Sequence, residues 1–587
     1  MNWNLNYFYS DEADFHKDVE TIKSGINDLK KYEGKLNKIS SLEQFYKDEE
    51  NLLILVYRVY AYAHLKSDLN LNDTASRNLM AIVGTIFATF SQTISFVNPE
   101  IISIGQEKIN DMITNSKIIN EYKFSLESLF RTQEHILSAS EENLLSNFIK
   151  PTSLGSQLYQ NVSLLDRQNE TIKLANGEKI EITLSNYCSL IENANNPKDR
   201  KKIFEATFKR FKENANTFAG IYDLVAQSKY AFAKSRGYNN ALEAALDKNN
   251  IPLSVYENLI SVAGSSTSII KKYNKLKKEV LGLSKYHTYD RFLNIGKSSK
   301  KYSYDESKAI FFESIKGLDQ EFVQAQYEAL EDGFVDVLPD KYKRTGAYSS
   351  SLYSYHPYIL LNHDDTLDSM FTLAHEAGHS AHSILACKTQ PQATADYVIF
   401  TAEVASTFNE HLLLDYLVQN ATSKEDKIAL LEKSIDNVLG TFYRQTLFAT
   451  YEYEAHKLVT DGQQLNKDNL SKIMINLYKK YYGIDITKEN GKEYVWAYIP
   501  HLFGTPFYVY QYATSFSASI KFFDQVKNGG EKEMKNFISL LKAGGRDYPI
   551  ALLKNAGVDL TTKEPFQAVV DYITKQVNLL ETLLKDN

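Results

Sequence analysis

The segment FTLAHEAGHSAHS, spanning Phe371–Ser383, places His375, Glu376 and His379 within five residues. On a helix, His375 and His379 lie one turn apart on one side, so two imidazoles can converge on one ion. Zinc accepts imidazole nitrogen at about 2.0–2.1 Å, and a catalytic zinc keeps one position open for water. Glu376, next to the first ligand, is then placed to take a proton from that water as general base. A third protein ligand is required. The HExxHxxGxxH pattern would need His at position 385, where this chain has Leu385. The alternative is a carboxylate from the next helix. Glu403, in ADYVIFTAEVASTFNEHLLLDYLV, sits among Ile399, Phe400, Val404, Ala405 and Phe408. A charge there is costly to bury unpaired, and a metal offsets the cost. Glu410, two turns further along the same face, can hold a ligand imidazole from behind. His382 and His411 read as polar or structural residues on the flanks of these helices.

The elements that must position these residues are mostly helices. Leu367, Met370, Phe371, Ala374, Ala377, Ala381, Ile384 and Leu385 follow a helical stripe through the motif. Asp365 is the expected N-cap, with Asp368 three residues on. Gly378 leaves room for a close backbone approach, and Ala374, Ala377 and Ala381 let a second helix pack tightly. Upstream, HPYILLN (356–362) reads as a short buried or edge strand, able to pair with an extended peptide backbone. Amphipathic helices are expected over 18–36, 41–68, 199–237 and 566–587. A hairpin is expected near 165–184, where Asn176-Gly177 joins two alternating segments. The expected fold is mostly α with a little β structure near the motif. The expected division is a helical lobe over 1–190 and a catalytic region over 191–587.

Composition narrows the function classes. A net charge of −7 gives no basic footprint, which argues against a nucleic-acid partner. Two cysteines, Cys188 and Cys387, rule out a disulfide framework and fit a reducing compartment. The N-terminus is acidic where a signal peptide would be basic, and no apolar run of about 20 residues stands out. A cytoplasmic protein without a membrane partner is expected.

TLAHEAGHSAHS followed by TAEVASTFNEHLL resembles the oligoendopeptidase F branch of the thimet oligopeptidase family of zinc metallopeptidases. The lead-in RTGAYSSSLYSYHPYILLNHDDTLDSMFTLAHE, HLFGTPFYVYQYATSFSASI, LLKAGGRDYPIALLKNAGVDL and AFAKSRGYNNALEAAL resemble the same branch, so the likeness spans roughly 190–570. It implies one zinc ion per chain on His375, His379 and Glu403, with Glu376 as the base. It also implies two helical lobes flanking a deep substrate channel that admits short unfolded peptides. Relatives use a His followed by Tyr residues to bind substrate, which points to His501 with Tyr510 and Tyr512, or Tyr508 in a shifted register. In a strand the three tyrosines would share one face; in a helix they would fan out. His356 and the Gly544-Gly545-Arg546 turn are weaker candidates for a channel wall.

The expected function is zinc-dependent hydrolysis of internal bonds in short oligopeptides. One alternative keeps the chemistry but removes C-terminal residues, as a metallocarboxypeptidase or dipeptidyl carboxypeptidase. That activity needs a cation for the free carboxylate, and residues 496–520 contain none. A non-catalytic peptide-binding protein is the remaining alternative.

Overall fold

The computed structural model describes residues 3–166, 168–296 and 300–585. Amphipathic patterning becomes helix throughout. In Glu12–Leu29 the buried Phe15, Val19, Ile22, Ile26 and Leu29 recur every three or four residues, and the Asp11 carboxylate caps the Ala13 N–H. The 41–68 pattern lies within Ile39–Leu69, and the C-terminal pattern within Glu564–Lys585. The expected 199–237 helix is two, Pro197–Glu213 and Ala215–Ser235, with Asn214 between them.

Two compact units divide the chain. The first comprises Met1–Glu134, Lys300–Tyr416 and Phe522–Gly557; the second comprises His135–Ser299, Leu417–Lys521 and Val558–Asn587. Each unit is assembled from three separate segments, a division different from the 1–190 and 191–587 partition read along the chain. The hairpin forms where expected, with Glu170–Lys173 antiparallel to Lys179–Ile182 and Gly177 at φ +90°. It lies inside the second unit and marks no boundary.

The other sheet, in the first unit, has three short strands in the order Val335–Asp336, Tyr358–Leu360, Tyr348–Ser350. Tyr358–Leu360 is therefore central, parallel to one neighbour and antiparallel to the other. Both its edges are occupied, so it cannot add a peptide strand; the edge strands of the sheet are Val335–Asp336, which is buried, and Tyr348–Ser350, which is half-buried.

The stretch Thr74–Ile104 is long and apolar enough to cross a bilayer by length and composition, with a mean hydropathy of 1.6 over its most apolar window. The sequence expectation missed it because its large apolar side chains are interrupted by Thr85, Thr89, Ser91, Gln92 and Thr93, so no unbroken apolar run marks it. Within it Leu79, Val83, Ile86 and Phe90 pack into the core.

The motif helix, Leu367–Thr389, is buried on most of its circumference and packs against Gln320–Ala329 and Glu531–Lys542. Its N-cap is Thr366, whose hydroxyl accepts from the Ser369 N–H at 3.2 Å. Asp365, the expected cap, instead takes a left-handed turn at φ +62°. Asp364 supports the cap by accepting from the Thr366 and Ser369 hydroxyls, each at 2.6 Å. The helix Ile399–Asn420 crosses the motif helix at Gly378. A Cβ on Gly378 would lie 2.6 Å from Ser406 Cα and 2.7 Å from the Ala405 carbonyl oxygen. Asn409 ties the pair further, donating to the Ala374 carbonyl and to Gln326, both at 2.9 Å. Gly378→Ala must push two backbones apart. We expect it to cost about 1–3 kcal/mol or more of stability, read as a fall in Tm, together with loss of bound metal; an unchanged Tm would show that the crossing tolerates a methyl group.

Candidate metal centre

The crossing brings together one group of metal-ligating side chains among the described residues: His375, His379 and Glu403, with ligand atoms within 4.8 Å of one another. The two Nε2 atoms are 3.1 Å apart. Glu403 Oε2 lies 3.4 Å from His375 Nε2 and 3.7 Å from His379 Nε2. Ligands at tetrahedral angles around zinc would be separated by about 3.3 Å. The observed triangle matches that spacing, and three lone-pair donors aimed at one point repel unless a cation lies between them. The residues present therefore fit the metal.

Glu410 Oε1 lies 2.6 Å from His375 Nδ1. Only an N–H can meet a carboxylate there, so Nδ1 carries a proton and Nε2 is the ring atom that would face the metal. Burial pushes His375 down, but the Glu403 and Glu410 carboxylates outweigh it and hold the ring well above the usual histidine value. Burial, then the charge of His375, pushes His379 down to about 4. Glu403 resists its own burial through the hydrogen bond to His375 and the charges of both rings, and is held at about 2. Its Oε2 also accepts from Ser406 Oγ at 3.3 Å.

Glu376 is 6% exposed and burial raises its carboxyl to about 7. The Ser349 backbone, on the edge strand, hydrogen-bonds it. Its Oε2 is buried without a partner. One oxygen is thus anchored and the other is left to accept a proton.

The flanking residues take other roles. His382 is buried and stacks on Tyr397 at 3.6 Å; His411 is buried near Phe523. His356 uses both ring nitrogens on the Pro357 and Glu328 carbonyls, at 2.7 and 3.0 Å, and stacks on Phe334. Gly544 and Gly545 end the helix Glu531–Lys542 and press onto the backbone of Thr394–Asp396, where any Cβ would overlap carbonyl oxygens. They are packing residues.

In the second unit, the loop after the short helix Pro500–Gly504 turns at Phe507 (φ +61°) and enters the helix Tyr510–Gly529. Glu452, buried and raised to about 8 by that burial, accepts from the Phe507 N–H at 2.8 Å. The helical start decides the register. His501 and Tyr508 rings stack at 5.8 Å, and Tyr512 meets them at 6.1 and 5.4 Å. Tyr510 points elsewhere, buried against Tyr256 at 5.0 Å. The cluster is therefore His501, Tyr508 and Tyr512, with Tyr508 in the loop before the helix and Tyr512 in its first turn, without Tyr510.

Comparison with known proteins gives a consistent picture. The family model for peptidase family M3 matches residues 190–572, and the oligopeptidase F model matches 100–166. The oligopeptidase PepF of Bacillus subtilis (strain 168) is 34% identical over 99% of this chain and 87% of its own length. The group B oligopeptidase PepB of Streptococcus agalactiae is 30% identical over 99% of this chain and 97% of its own. A crystal structure from Chlamydophila abortus superposes with a TM-score of 0.91 at 31% identity, covering 99% of this chain and 98% of that one. The oligoendopeptidase-F of Enterococcus faecium gives 0.76 at 26% identity, covering 98% and 100%.

Replacing Glu410 by Gln removes the carboxylate that fixes the His375 tautomer while keeping the volume. We expect metal affinity to fall about 10–100-fold in a competitive chelator titration; an unchanged affinity would leave Glu410 with no part in holding the ring.

Proposed function

The chain belongs to peptidase family M3, in its oligoendopeptidase F branch, and from that premise we propose that it hydrolyses internal bonds of short oligopeptides with one zinc ion held by His375, His379 and Glu403. The observation that carries the reading is the convergence of three donor atoms beside a glutamate with one free oxygen. Bound there, the metal would supply Lewis-acid polarisation of the scissile carbonyl and a lowered pKa for the attacking water. Glu376 takes the proton of that water at Oε2 and delivers it to the leaving amine, while the Ser349 contact keeps its carboxylate from rotating away. Glu410 holds the imidazole of His375 in its metal-binding tautomer. An extended peptide pairs with the edge strand Tyr348–Ser350 through backbone groups, which reads no side chains. His501, Tyr508 and Tyr512 contribute hydrogen-bond donors to the substrate. The carboxypeptidase alternative is not favoured by the relatives, which are named as oligopeptidases and oligoendopeptidases.

Glu376→Gln is expected to lower kcat on a quenched peptide blocked at both ends by about 10²–10⁴-fold while retaining about one zinc per chain. Chelation should abolish cleavage by the native protein and zinc should restore it; cleavage confined to peptides with a free C-terminus would overturn the endopeptidase assignment. Tyr508→Phe and Tyr512→Phe are each expected to lower kcat about tenfold, roughly 1.4 kcal/mol, with Tyr510→Phe within twofold of the native enzyme. The reverse order would reassign the donors.

A further inference from the structure

Proton abstraction by Glu376 requires its carboxylate to keep one orientation, and the residue that orients it is Ser349, on the three-residue strand Tyr348–Ser350. Ser349 meets the motif helix a second time through its hydroxyl, which lies 2.8 Å from the hydroxyl of Ser380, the residue after His379. Ser380 is fully buried, so this contact is shielded from water. So short a strand has few ladder bonds of its own to resist moving toward or away from a helix. Its position therefore depends on what holds its other face.

Successive side chains leave a strand on opposite faces, so Tyr348, next to Ser349, points away from the motif helix. Its hydroxyl donates to Asp68 at 2.8 Å. Asp68 lies in the last turn of the helix Ile39–Leu69, 280 positions earlier in the chain, and is 3% exposed. Its carboxylate accepts from the Arg344 guanidinium with both oxygens, each at 3.2 Å. Its backbone carbonyl accepts from the Arg344 N–H at 2.9 Å, and the Leu71 N–H donates to the Tyr342 carbonyl at 2.8 Å. The His64 ring, one turn before Asp68, places Nε2 3.3 Å from the same carboxylate and packs against Tyr348 at 5.6 Å.

One buried carboxylate thus clamps the segment Tyr342–Tyr348 onto the end of a helix. Burial, then the charge of Asp68, pushes the Tyr348 hydroxyl up, so it stays a donor. Arg344 is half exposed and its charge is screened by solvent, which leaves the Tyr348 hydroxyl as the buried link. The sheet has other ties. Tyr348 pairs with Leu360, and Asn362 donates to the carbonyls of Arg344 and Gly346 at 3.0 and 2.7 Å. Those bonds fix the register of the strand; the Asp68 bond fixes how far it stands from Glu376.

We propose that Asp68 is a positioning residue for the hydrolysis: through Tyr348 it holds from one face the strand whose Ser349 orients Glu376 on the other. Asp68 acts through the strand and not on the reacting atoms. A base turned off line costs rate rather than affinity, since the contacts to peptide and metal remain. The inference rests on the reading of Glu376 as the base.

The test is steady-state cleavage of the blocked quenched peptide by zinc-loaded full-length variants, with metal content measured in each. Asp68→Asn and Tyr348→Phe are each expected to lower kcat by about tenfold or more, with KM within about threefold and about one zinc per chain. Tyr355→Phe is the control. It removes a tyrosine hydroxyl that donates to the Ile54 carbonyl of the same helix at 3.0 Å, and should leave kcat within about twofold. In Glu376→Gln the clamp has no base to orient, so adding Tyr348→Phe should change the residual rate by less than about twofold. Losses that multiply there, or a rise in KM with kcat intact, overturn the proposal. Should Asp68→Asn fail to fold, Tyr348→Phe, which leaves the Asp68–Arg344 pair in place, carries the test. Activity that survives Glu376→Gln removes Glu376 as the base and the inference with it; activity lost in Glu376→Gln and kept in Tyr348→Phe overturns the inference alone.

Discussion

Everything at the proposed metal centre depends on a methyl group that is absent. Gly378 lets the backbone of Ile399–Asn420 come so close that a Cβ would sit 2.6 Å from Ser406 Cα. At that separation Glu403, one turn before the contact, faces His375 and His379, which flank Gly378 on the other helix. Any larger residue would widen the crossing and move the carboxylate off the two imidazoles. Ala374, Ala377 and Ala381 extend the same flat surface, and Asn409 bonds across it to the Ala374 carbonyl. The site is the product of a helix crossing whose distance is set by backbone contact.

Electrostatics then make the crossing worth its cost. Two imidazoles and three carboxylates occupy a small, largely desolvated volume. Unbalanced burial of such charges would cost several kcal/mol per group. The arrangement distributes the load: Glu410 neutralises His375 from behind, Glu403 faces both rings, and Glu376 is pushed up toward neutrality by its burial. A divalent cation at the point where the three donor atoms meet would complete the balance and would draw Glu376 toward its ionised form. The one oxygen of Glu376 that lacks a partner is the feature a purely structural cluster would not retain.

The second unit solves a related problem differently. Phe507 occupies a left-handed backbone conformation that costs a bulky residue energy, and the buried Glu452 carboxyl holds it by accepting its N–H. That turn sets where the helix Tyr510–Gly529 begins, and hence which tyrosines stand beside His501.

The sequence by itself determined the chemistry and the helical class. HExxH on a 3.6-residue apolar period, a lone glutamate inside an apolar helix, Gly378 and the Asn176-Gly177 turn are local signals, and each appears where its spacing places it. Glu410 was legible for the same reason, being two turns from Glu403 on one face. Only the tertiary structure decided the rest, because it depends on contacts between residues far apart in the chain. The helix cap moved from Asp365 to Thr366 because Asp364 and Ser369 close a network around the threonine. The strand Tyr358–Leu360 became central because Val335–Asp336 and Tyr348–Ser350 arrive from either side. The tyrosine beside His501 became Tyr508 rather than Tyr510 because one left-handed residue starts the helix at Tyr510. The division into units interleaves three segments each, since helices pair by the fit of their buried faces and not by their order along the chain.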